Sequence, residues 1–476
     1  MIRHPRYLAA TLCVVVMSAS ALAQVQERVI TGPPPGERAT IDAVVKALSG
    51  DAGGWEAMAK ARFAPDLLTK QTAADRSAAF EQLRTDFGSV KPGRIMRRGP
   101  DAPVEIQITG STGMEGVVTL DLTDEDPPRV RRFGVELGKA GGGRGGGPAP
   151  EALPPPPITA AMSPEEMRAR LQTYLAGLVA DDRFAGVVLV ARDGQPVFEQ
   201  AFGLADRANQ RPNTATTRFN LGSINKSFTQ LAIAQLVDSG RVALSDRLGT
   251  FFPEYPQAVS RTATIEQLLN HRGGIADFFG PEFSAAAKDR FRSNADYFRF
   301  VGRLPPLFAP GARSQYCNGC YIALGAIVAQ VSGMPYERYV AEKVFAPAGM
   351  AHAGFLQSDA LEPDVAIGYT RRGDGDGTTL RSNVMLHGSS GSAAGGSYAT
   401  AADLLAFVNA RRDGRLLRDS GMMQVAGGAP GTNASLQNEG RWTVVVLSNL
   451  DPPSGERVGE AILAPLVATA PPGFGS

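Results

Sequence analysis

The chain has 476 residues, more than one typical domain contains, so we expect two folded units. Its 48 lysines and arginines balance 47 aspartates and glutamates, a net charge of +1, so the chain lacks the basic footprint of nucleic-acid or anionic-membrane binding; small-molecule or peptide partners remain. Four histidines, none adjacent, and three cysteines are too few and too scattered for a zinc site, and no metal or cofactor is implied.

Residues 1–23 have the pattern of a secretory signal peptide. Arg3 and Arg6 precede an apolar run that extends to Met17, and Ala21-Leu22-Ala23 is typical of a cleavage site. No later stretch reaches the roughly 18 apolar residues of a membrane span. We therefore predict an exported protein, periplasmic or secreted, without a membrane span after cleavage. An uncleaved membrane anchor is the alternative.

Residues 24–138 are predicted to form a small α+β domain. The spacing of apolar residues predicts helices at residues 41–48, 55–63 and 78–87. Alternating apolar and polar residues predict half-buried strands at residues 104–108 and 116–122. A further strand is expected within residues 129–137. This order resembles nuclear-transport-factor-two-like domains, in which helices pack on a cone-shaped sheet. No catalytic constellation is present, so we interpret the domain as a scaffold or spacer, with an accessory ligand pocket as the alternative.

Residues 139–161 are predicted to be a linker. A glycine-rich tract at Gly141–Gly147 is followed by prolines at Pro154–Pro157. Neither composition can pack a core, and together they join a flexible segment to a stiffer one.

Residues 162–476 are predicted to form the second domain. Ser163 caps a helix, with Pro164 at its first position and Glu166 completing a capping box. A β-hairpin is expected at residues 186–191 and 196–203, and later strands at residues 434–437 and 442–447, before a helix from about residue 456. Early and late strands would pair into one antiparallel sheet, with a helical segment inserted between them.

A Ser-x-x-Lys motif opens the helix that follows the hairpin. Gly222 allows a tight turn, apolar residues recur at helical spacing within residues 228–237, and Gly240 ends the helix. Ser223 and Lys226 then share one face, within hydrogen-bonding reach. A serine hydroxyl needs a base, and a lysine pushed toward neutrality by burial can act as one. The alternative is a solvated surface lysine, since Ser-x-x-Lys also occurs by chance.

A second motif, Tyr316-Cys317-Asn318, comes shortly after Pro310-Gly311. Ser-x-x-Lys, Tyr-x-Asn and a glycine-rich strand start near the C-terminus together resemble the class C β-lactamase and penicillin-binding-protein family of serine hydrolases, including its esterase and D-amino-acid peptidase members. Further matching segments lie at residues 268–274, 347–350, 366–369 and 395–404. The resemblance covers residues 162 to about 465. It implies an α+β, β-lactamase/transpeptidase-like fold, an antiparallel sheet flanked by helices with a large helical insertion.

The resemblance also implies roles for single residues. Ser223 would be acylated, and Lys226 and Tyr316 would share the general acid-base work. Asn318 would orient Lys226 and the substrate. The backbone N–H groups of Ser223 and Gly428 would form the oxyanion hole.

The third motif departs from the family pattern, which is Lys-Thr-Gly or His-x-Gly. The aligned residues are Val425-Ala426-Gly427-Gly428, so Val425 takes the basic position and cannot bind a substrate carboxylate. The segment before Gly427 is also shorter than in relatives, which usually carry an extra strand there. An unpaired buried carboxylate costs several kcal/mol, so we expect an ester or amide substrate and esterase- or D-amino-acid-peptidase-like activity rather than that of a true β-lactamase. Gly427 and Gly428 remain as backbone substrate-binding residues.

Other residues near these motifs are given structural roles. His271 is expected to hydrogen-bond the loop backbone near the site. Gly395 and Gly396 are expected to line the cleft or to permit a special backbone angle. No role is assigned to His352 or His387.

Two alternative functions stay open. The first is a non-catalytic member of the family that binds an acyl group or peptide or acts as a scaffold, because Val425 replaces the basic residue. The second is thiol–disulfide chemistry at Cys317 and Cys320, because Cys-x-x-Cys at the start of a helix favours a reactive thiolate. A structural disulfide or two buried small side chains would be the simpler interpretation of the two cysteines.

Overall fold

The structure is a computed structural model that describes residues 35–70, 72–97, 104–111, 115–123, 125, 127–138, 153–360, 362–371, 379–417 and 426–467. The predicted signal peptide, residues 139–152 of the predicted linker and Val425 lie outside these residues. The chain divides into two compact units, one within residues 1–140 and one within residues 141–476. The domain boundaries drawn from the sequence stay a prediction. Within the described ranges, no helix is both long and apolar enough to cross a membrane.

The first unit places four helices before a four-stranded antiparallel sheet. Its elements are α1 (Pro35–Leu48), α2 (Ala52–Arg62), α3 (Pro65–Lys70), α4 (Ala73–Phe87), β1 (Val90–Arg97), β2 (Val104–Gly110), β3 (Glu115–Leu122) and β4 (Val130–Gly138). The strands pair in chain order. Trp55 centres the core, stacked on Phe80 at 5.5 Å and edge-on to Phe63 at 6.0 Å. The predicted helices and strands are confirmed, and the nuclear-transport-factor-two-like resemblance stays a prediction.

Strand β1 is absent from the sequence prediction. It contains Pro92 and Gly93, residues that normally mark a turn, and its pairing with β2 shifts register between Pro92 and Ile95. An edge strand tolerates proline, and a register shift absorbs the irregularity, so the strand forms despite its composition.

The second unit contains the remaining elements. Its helices are α5 (Pro164–Ala180), α6 (Asn225–Asp238), α7 (Leu248–Phe251), α8 (Ile265–Leu269), α9 (Pro281–Ala285), α10 (Asn294–Val301), α11 (Asn318–Ser332), α12 (Tyr336–Val340), α13 (Ala346–Ala348), α14 (Ala401–Arg412) and α15 (Ser454–Val467). Its strands are β5 (Gly186–Arg192), β6 (Gln195–Phe202), β7 (Leu204–Asp206), β8 (Arg211–Pro212), β9 (Phe219–Asn220), β10 (Tyr369–Thr370), β11 (Arg381–Ser382), β12 (Tyr398–Ala399), β13 (Ala426–Ala429), β14 (Thr432–Glu439) and β15 (Trp442–Ser448).

Five of these strands form one antiparallel sheet in the order β13-β14-β15-β5-β6. Alternate side chains of a strand point to opposite faces. The face toward α5 and α15 carries Val188, Val190, Val444 and Val446. The face toward the helical insertion carries Val187, Leu189, Val445 and Leu447. Because both faces are buried, the central strands are apolar throughout.

The predicted architecture of this unit is confirmed. The early hairpin and the late strands pair as expected, through β15 against β5. Strands β5, β14 and β15 extend one or more residues beyond their predicted ends, and β6 begins and ends one residue earlier than predicted. Ser163 and Glu166 form the expected capping box of α5. The elements between β6 and β13 are mainly helical, as the predicted insertion requires. Helix α6 is buried within this insertion, and the turn that precedes it, Gly222–Ile224, lies beside β13, the edge strand of the sheet.

Candidate active site

Ser223 lies in the 3₁₀ turn Gly222–Ile224 that leads directly into α6. Gly222 has a φ of +50°, and a Cβ there would lie 2.7 Å from the backbone nitrogen of Gly428. Only glycine suits both the angle and the space. The Gly222 N–H donates to Asn220 Oδ1 at 2.9 Å, which closes the turn. This tight turn therefore places Ser223 at the beginning of a helix.

Lys226 is fully buried one turn after Ser223. Its Nζ donates to Ser223 Oγ at 3.1 Å, to Asn318 Oδ1 at 2.8 Å and to the Ala394 carbonyl at 2.5 Å. An ammonium group has three N–H donors, so these acceptors match it completely. The predicted pairing of hydroxyl and amine is present in the structure.

Tyr316 completes the surroundings of the serine hydroxyl. Its phenol oxygen lies 2.5 Å from Ser223 Oγ, and its ring lies over Lys226 Nζ at 4.7 Å. The Tyr316 side chain is 44% exposed, so the phenol stands at the solvent side of the group while Lys226 stands at the buried side. Ser223 Oγ is thus hydrogen-bonded to two groups that can exchange a proton with it.

Asn318 is the first residue of α11 and joins Lys226 to a residue that the sequence analysis missed. Its Oδ1 accepts from Lys226, and its Nδ2 donates to Asp277 Oδ2 at 2.9 Å. Asp277 lies 41 residues earlier in the chain, in the loop after α8. A carboxylate in a loop carries no local signal of such a contact, so the sequence offered no means of finding it.

Cys317 and Cys320 form a disulfide that brackets Asn318 and Gly319. The side chains of both cysteines are buried, with 3% and 0% exposure. Thiol–disulfide exchange requires access of a thiolate to a sulfur atom, so this burial disfavours redox catalysis. The interpretation as a structural disulfide agrees with the structure.

His271 holds the loop beside Tyr316, as predicted. Its Nδ1 accepts the Cys317 N–H at 3.1 Å, and its ring stacks on Tyr316. Burial, together with the charge of Lys226, lowers the pKa of His271 to about 4. The imidazole is therefore neutral at pH 7, with its proton on Nε2 because Nδ1 is an acceptor. His271 has a φ of +57°, a strained angle for a residue with a Cβ.

Gly427 and Gly428 lie on β13, next to the Ser223 turn. A Cβ at Gly427 would lie 2.8 Å from Ser223 N and 2.0 Å from the Leu221 carbonyl, so the two backbones touch. The strand pairs with β14 in a register that places Ala429 opposite Thr432 across the turn. Hydrogen-bonded and non-hydrogen-bonded pairs alternate in an antiparallel ladder, so the Gly428 N–H is directed away from β14, toward the Ser223 turn.

The segment that contacts Lys226 through the Ala394 carbonyl contains Gly395 and Gly396, the two glycines noted in the sequence. Gly396 has a φ of +99°, which confirms the special backbone angle expected there. A Cβ at Gly395 would lie 3.0 Å from the Gly222 carbonyl and 3.6 Å from Ser223 N. This tight turn presents the Ala394 carbonyl to Lys226. In the described ranges, no group of three or more His, Cys, Asp or Glu side chains is arranged to hold a metal ion.

Comparison with known proteins gives these residues a context. The family model described as Beta-lactamase matches residues 171–428, more than half of the chain. The chain belongs to the beta-lactamase family. All six predicted site residues lie within the matched segment: Ser223, Lys226, Tyr316, Asn318, Gly427 and Gly428. The first compact unit lies outside it.

Within this family the chain is similar both to proteins named as penicillin-binding proteins and to one named as an esterase. It is 32% identical over 234 residues to the putative penicillin-binding protein PbpX of Bacillus subtilis, covering 49% of this chain and 56% of that protein. It is 29% identical over 290 residues to Esterase EstB of Burkholderia gladioli, covering 54% and 73% respectively. The solved penicillin binding protein from Bacillus halodurans superposes with a TM-score of 0.54 and 27% identity, over 61% of this chain and 99% of that one. The chain spans about half the length of the curated penicillin-binding proteins it matches, 56% of one and 41% of another.

Proposed function

We propose that this member of the beta-lactamase family is a serine hydrolase that cleaves an ester or amide bond through an acyl-enzyme on Ser223. One observation carries the proposal: Ser223 Oγ is hydrogen-bonded both to Lys226 Nζ at 3.1 Å and to the Tyr316 oxygen at 2.5 Å. A serine with two ionisable neighbours in contact has the geometry of an activated nucleophile. Relatives named as a penicillin-binding protein and an esterase support the same reaction class.

The chain's own residues suffice for acylation. Ser223 Oγ attacks the carbonyl carbon of the substrate, and its proton passes to the member of the Lys226–Tyr316 pair that is unprotonated at that moment, which is the phenolate of Tyr316 when Lys226 is an ammonium. The N–H groups of Ser223 and Gly428 hold the oxyanion that develops. The pair then gives the proton to the leaving oxygen or nitrogen as the bond to the carbonyl carbon breaks. We assign this last step to Tyr316, because its exposure places it on the solvent side of Ser223 Oγ, from which a leaving group departs.

Deacylation uses the same groups in reverse. A water molecule gives a proton to the Lys226–Tyr316 pair and its oxygen to the acyl carbon. The bond from Ser223 Oγ to that carbon breaks, and Oγ recovers a proton from the pair. The net products are a carboxylic acid and an alcohol or amine.

The substrate class follows from the third motif. Val425 stands where relatives carry a lysine or histidine, so a substrate carboxylate would lack its partner. We propose neutral esters or amides, as in esterase- or D-amino-acid-peptidase-like members, in preference to β-lactams. The alternative is a member that is acylated but not turned over and works as a binding or scaffold protein. Its acyl-enzyme would persist.

Export is part of the proposal. The N-terminal 23 residues have the pattern of a signal peptide. A disulfide inside the site supports an oxidising compartment, since such bonds are rare in the cytosol. We propose a periplasmic or secreted location.

Intact-mass analysis of residues 24–476 tests the proposal. The protein is exposed separately to a fluorophosphonate, p-nitrophenyl butyrate and a cephalosporin. We expect one adduct, absent in Ser223→Ala and slowed in Lys226→Ala. Ser314→Ala and Lys288→Ala are matched controls, because Ser314 is an exposed hydroxyl two residues before Tyr316 and Lys288 binds backbone carbonyls elsewhere.

The outcomes separate the alternatives. Folded protein that forms no adduct with any reagent would overturn the acyl-enzyme. A butyryl adduct from the ester that forms on Ser223 and persists for hours favours the binding protein, whereas the fluorophosphonate adduct is permanent in either case. Turnover of the ester without turnover of the cephalosporin supports the esterase-like assignment.

A further inference from the structure

We propose that Asp277 is a positioning residue for Lys226, acting through the side-chain amide of Asn318. This inference rests on the proposed function, since it concerns the same serine. The contacts form one chain: Asp277 Oδ2 accepts from Asn318 Nδ2 at 2.9 Å, Asn318 Oδ1 accepts from Lys226 Nζ at 2.8 Å, and Lys226 Nζ donates to Ser223 Oγ.

The two ends of the Asn318 side-chain amide differ in the hydrogen bonds they can make. The oxygen of a carboxamide only accepts hydrogen bonds and its nitrogen only donates them. A lysine ammonium can only donate, and an ionised carboxylate can only accept. Asn318 lies between one of each, so a single orientation satisfies both neighbours. Rotating the amide by half a turn would set donor against donor at Lys226 and acceptor against acceptor at Asp277.

Asp277 is itself held in place on two sides. Its other oxygen, Oδ1, accepts the Phe279 N–H at 3.0 Å, which closes a local turn. The preceding residue, Ala276, packs directly on α11, because a Cβ at Gly319 would lie 2.2 Å from the Ala276 carbonyl. The carboxylate is therefore a fixed reference point beside the first turn of α11.

The consequence for Lys226 follows from its three acceptors. Without Asp277, the Asn318 nitrogen loses its acceptor and only Lys226 still favours this orientation, so the amide turns more freely and its oxygen leaves Lys226 in part of the molecules. Lys226 then loses one of its three acceptors, and its Nζ shifts relative to Ser223 Oγ. A small displacement of a reacting group lowers the reaction rate far more than it weakens substrate binding. Loss of Asp277 should therefore lower the rate of acylation and leave KM nearly unchanged.

Two substitutions at position 277 separate the hydrogen bond from the rest of the side chain. Asp277→Asn keeps one acceptor oxygen, for which Asn318 Nδ2 and the Phe279 N–H compete, whereas Asp277→Leu removes both acceptors. Asp246→Leu is the matched control, because Asp246 Oδ2 accepts one neighbouring backbone N–H, that of Ala243 at 2.8 Å, away from Lys226 and its partners. Single-turnover acylation by p-nitrophenyl butyrate, KM and the thermal midpoint are measured for each.

We expect Asp277→Leu to slow acylation by about 10- to 100-fold with KM within about twofold. Asp277→Asn should acylate faster than Asp277→Leu and more slowly than the parent protein, and Asp246→Leu should match the parent. In Asn318→Ala, adding Asp277→Leu should cause no further loss, because the residue that transmits the effect is already absent.

Three results would overturn the inference. The first is a folded Asp277→Leu protein that acylates at the parent rate. The second is an Asp246→Leu control that slows acylation as much as Asp277→Leu does, which would make the effect a general consequence of losing a carboxylate. The third is a full additional loss in the double variant with Asn318→Ala. If Asp277→Leu does not fold, Asp277→Ala replaces it. A parent protein that forms no acyl-enzyme contradicts the proposed function instead, so the two failures are distinct.

Discussion

The imidazole of His271 stacks on the phenol of Tyr316, with ring centres 4.9 Å apart and planes inclined by 26°. The same imidazole accepts the backbone N–H of Cys317 through Nδ1. One histidine thus supports both the side chain of Tyr316 and the backbone of the residue that follows it. Protonation of Nδ1 would remove the acceptor, so this support exists only while the ring is neutral.

Stability should fall in mild acid because of His271. In the unfolded chain a histidine has a pKa near 6.5, whereas burial lowers the pKa of folded His271 to about 4. Between these values the unfolded state binds more protons, so the free energy of unfolding decreases as the pH falls. The contribution reaches roughly 3 kcal/mol by pH 4. Chemical denaturation from pH 7.5 to 4 measures it.

The matched variant is His271→Asn. Asparagine tolerates the positive φ of this position and does not titrate. The variant should lose the extra acid sensitivity, so its stability difference from the parent should shrink as the pH falls. His387, whose pKa burial also lowers, is present in both proteins and cancels in the comparison. Parallel stability curves for the two proteins would contradict the prediction.

Tyr316→Phe should separate chemistry from folding. The substitution removes the oxygen that lies 2.5 Å from Ser223 Oγ and keeps the ring that stacks on His271. We expect acylation to slow by about 10²- to 10⁴-fold, the usual worth of a general acid-base group. The thermal midpoint should change little. Tyr339→Phe, which removes a hydroxyl bonded to Gln235, is the control and should acylate normally.

Gly427→Ala should damage the contact between β13 and the Ser223 turn. The new Cβ would lie 2.0 Å from the Leu221 carbonyl and 2.8 Å from Ser223 N, and both neighbours are backbone. Overpacking of this kind costs about 1–3 kcal/mol, and the shift would also displace the proposed oxyanion donors. Denaturation midpoints and acylation rates should both fall.

A second glycine provides the comparison. Gly177 lies inside helix α5, and a Cβ there would meet no atom within 4 Å. Gly177→Ala should keep the acylation rate and raise stability by about 0.5–1 kcal/mol through helix propensity. Equal behaviour of the two alanine variants would argue against a close contact at β13.

Replacing both Cys317 and Cys320 by serine should loosen the second motif. The disulfide closes a very short loop, so its loss should cost only roughly 2 kcal/mol of stability. The effect on acylation should be larger than this, because the loop carries Asn318 and adjoins Tyr316. Thermal midpoint and single-turnover rate of the double variant, with and without a reductant, measure both effects. Activity that depends on a free thiol would instead revive the redox alternative.

Much of this fold follows from local patterns in the sequence. The capping box at Ser163, the continuous apolar runs in β5 and β15 and the helical spacing after Ser223 are all properties of residues close together in the chain. The Ser223–Lys226 contact belongs to the same class, since residues three apart on a helix share a face. Strand β1 was not predicted, because the residues Pro92 and Gly93 are typical of a turn.

The contacts between segments could not be found in this way. Tyr316 and Asn318 were identified through a resemblance to a family. Such a resemblance indicates which residues come together in the fold, but not which contacts bring them together. Asp277 had no such motif, so only the folded loop after α8 revealed its bond to Asn318. The sequence left the two cysteines open between thiols and a disulfide, and the structure joins them.

The sequence by itself determined the helix that pairs Ser223 with Lys226, the strands of the sheet and the valine in place of a basic residue. The tertiary structure decided which backbone faces the Ser223 turn, what buries Lys226 and how Asn318 is oriented. The physical reason is the range of the forces involved: helix and strand periodicity act between near neighbours, whereas a buried lysine needs acceptors wherever packing brings them. Its acceptors are Ser223 in the preceding turn, Asn318 at the start of the distant helix α11 and the carbonyl of Ala394.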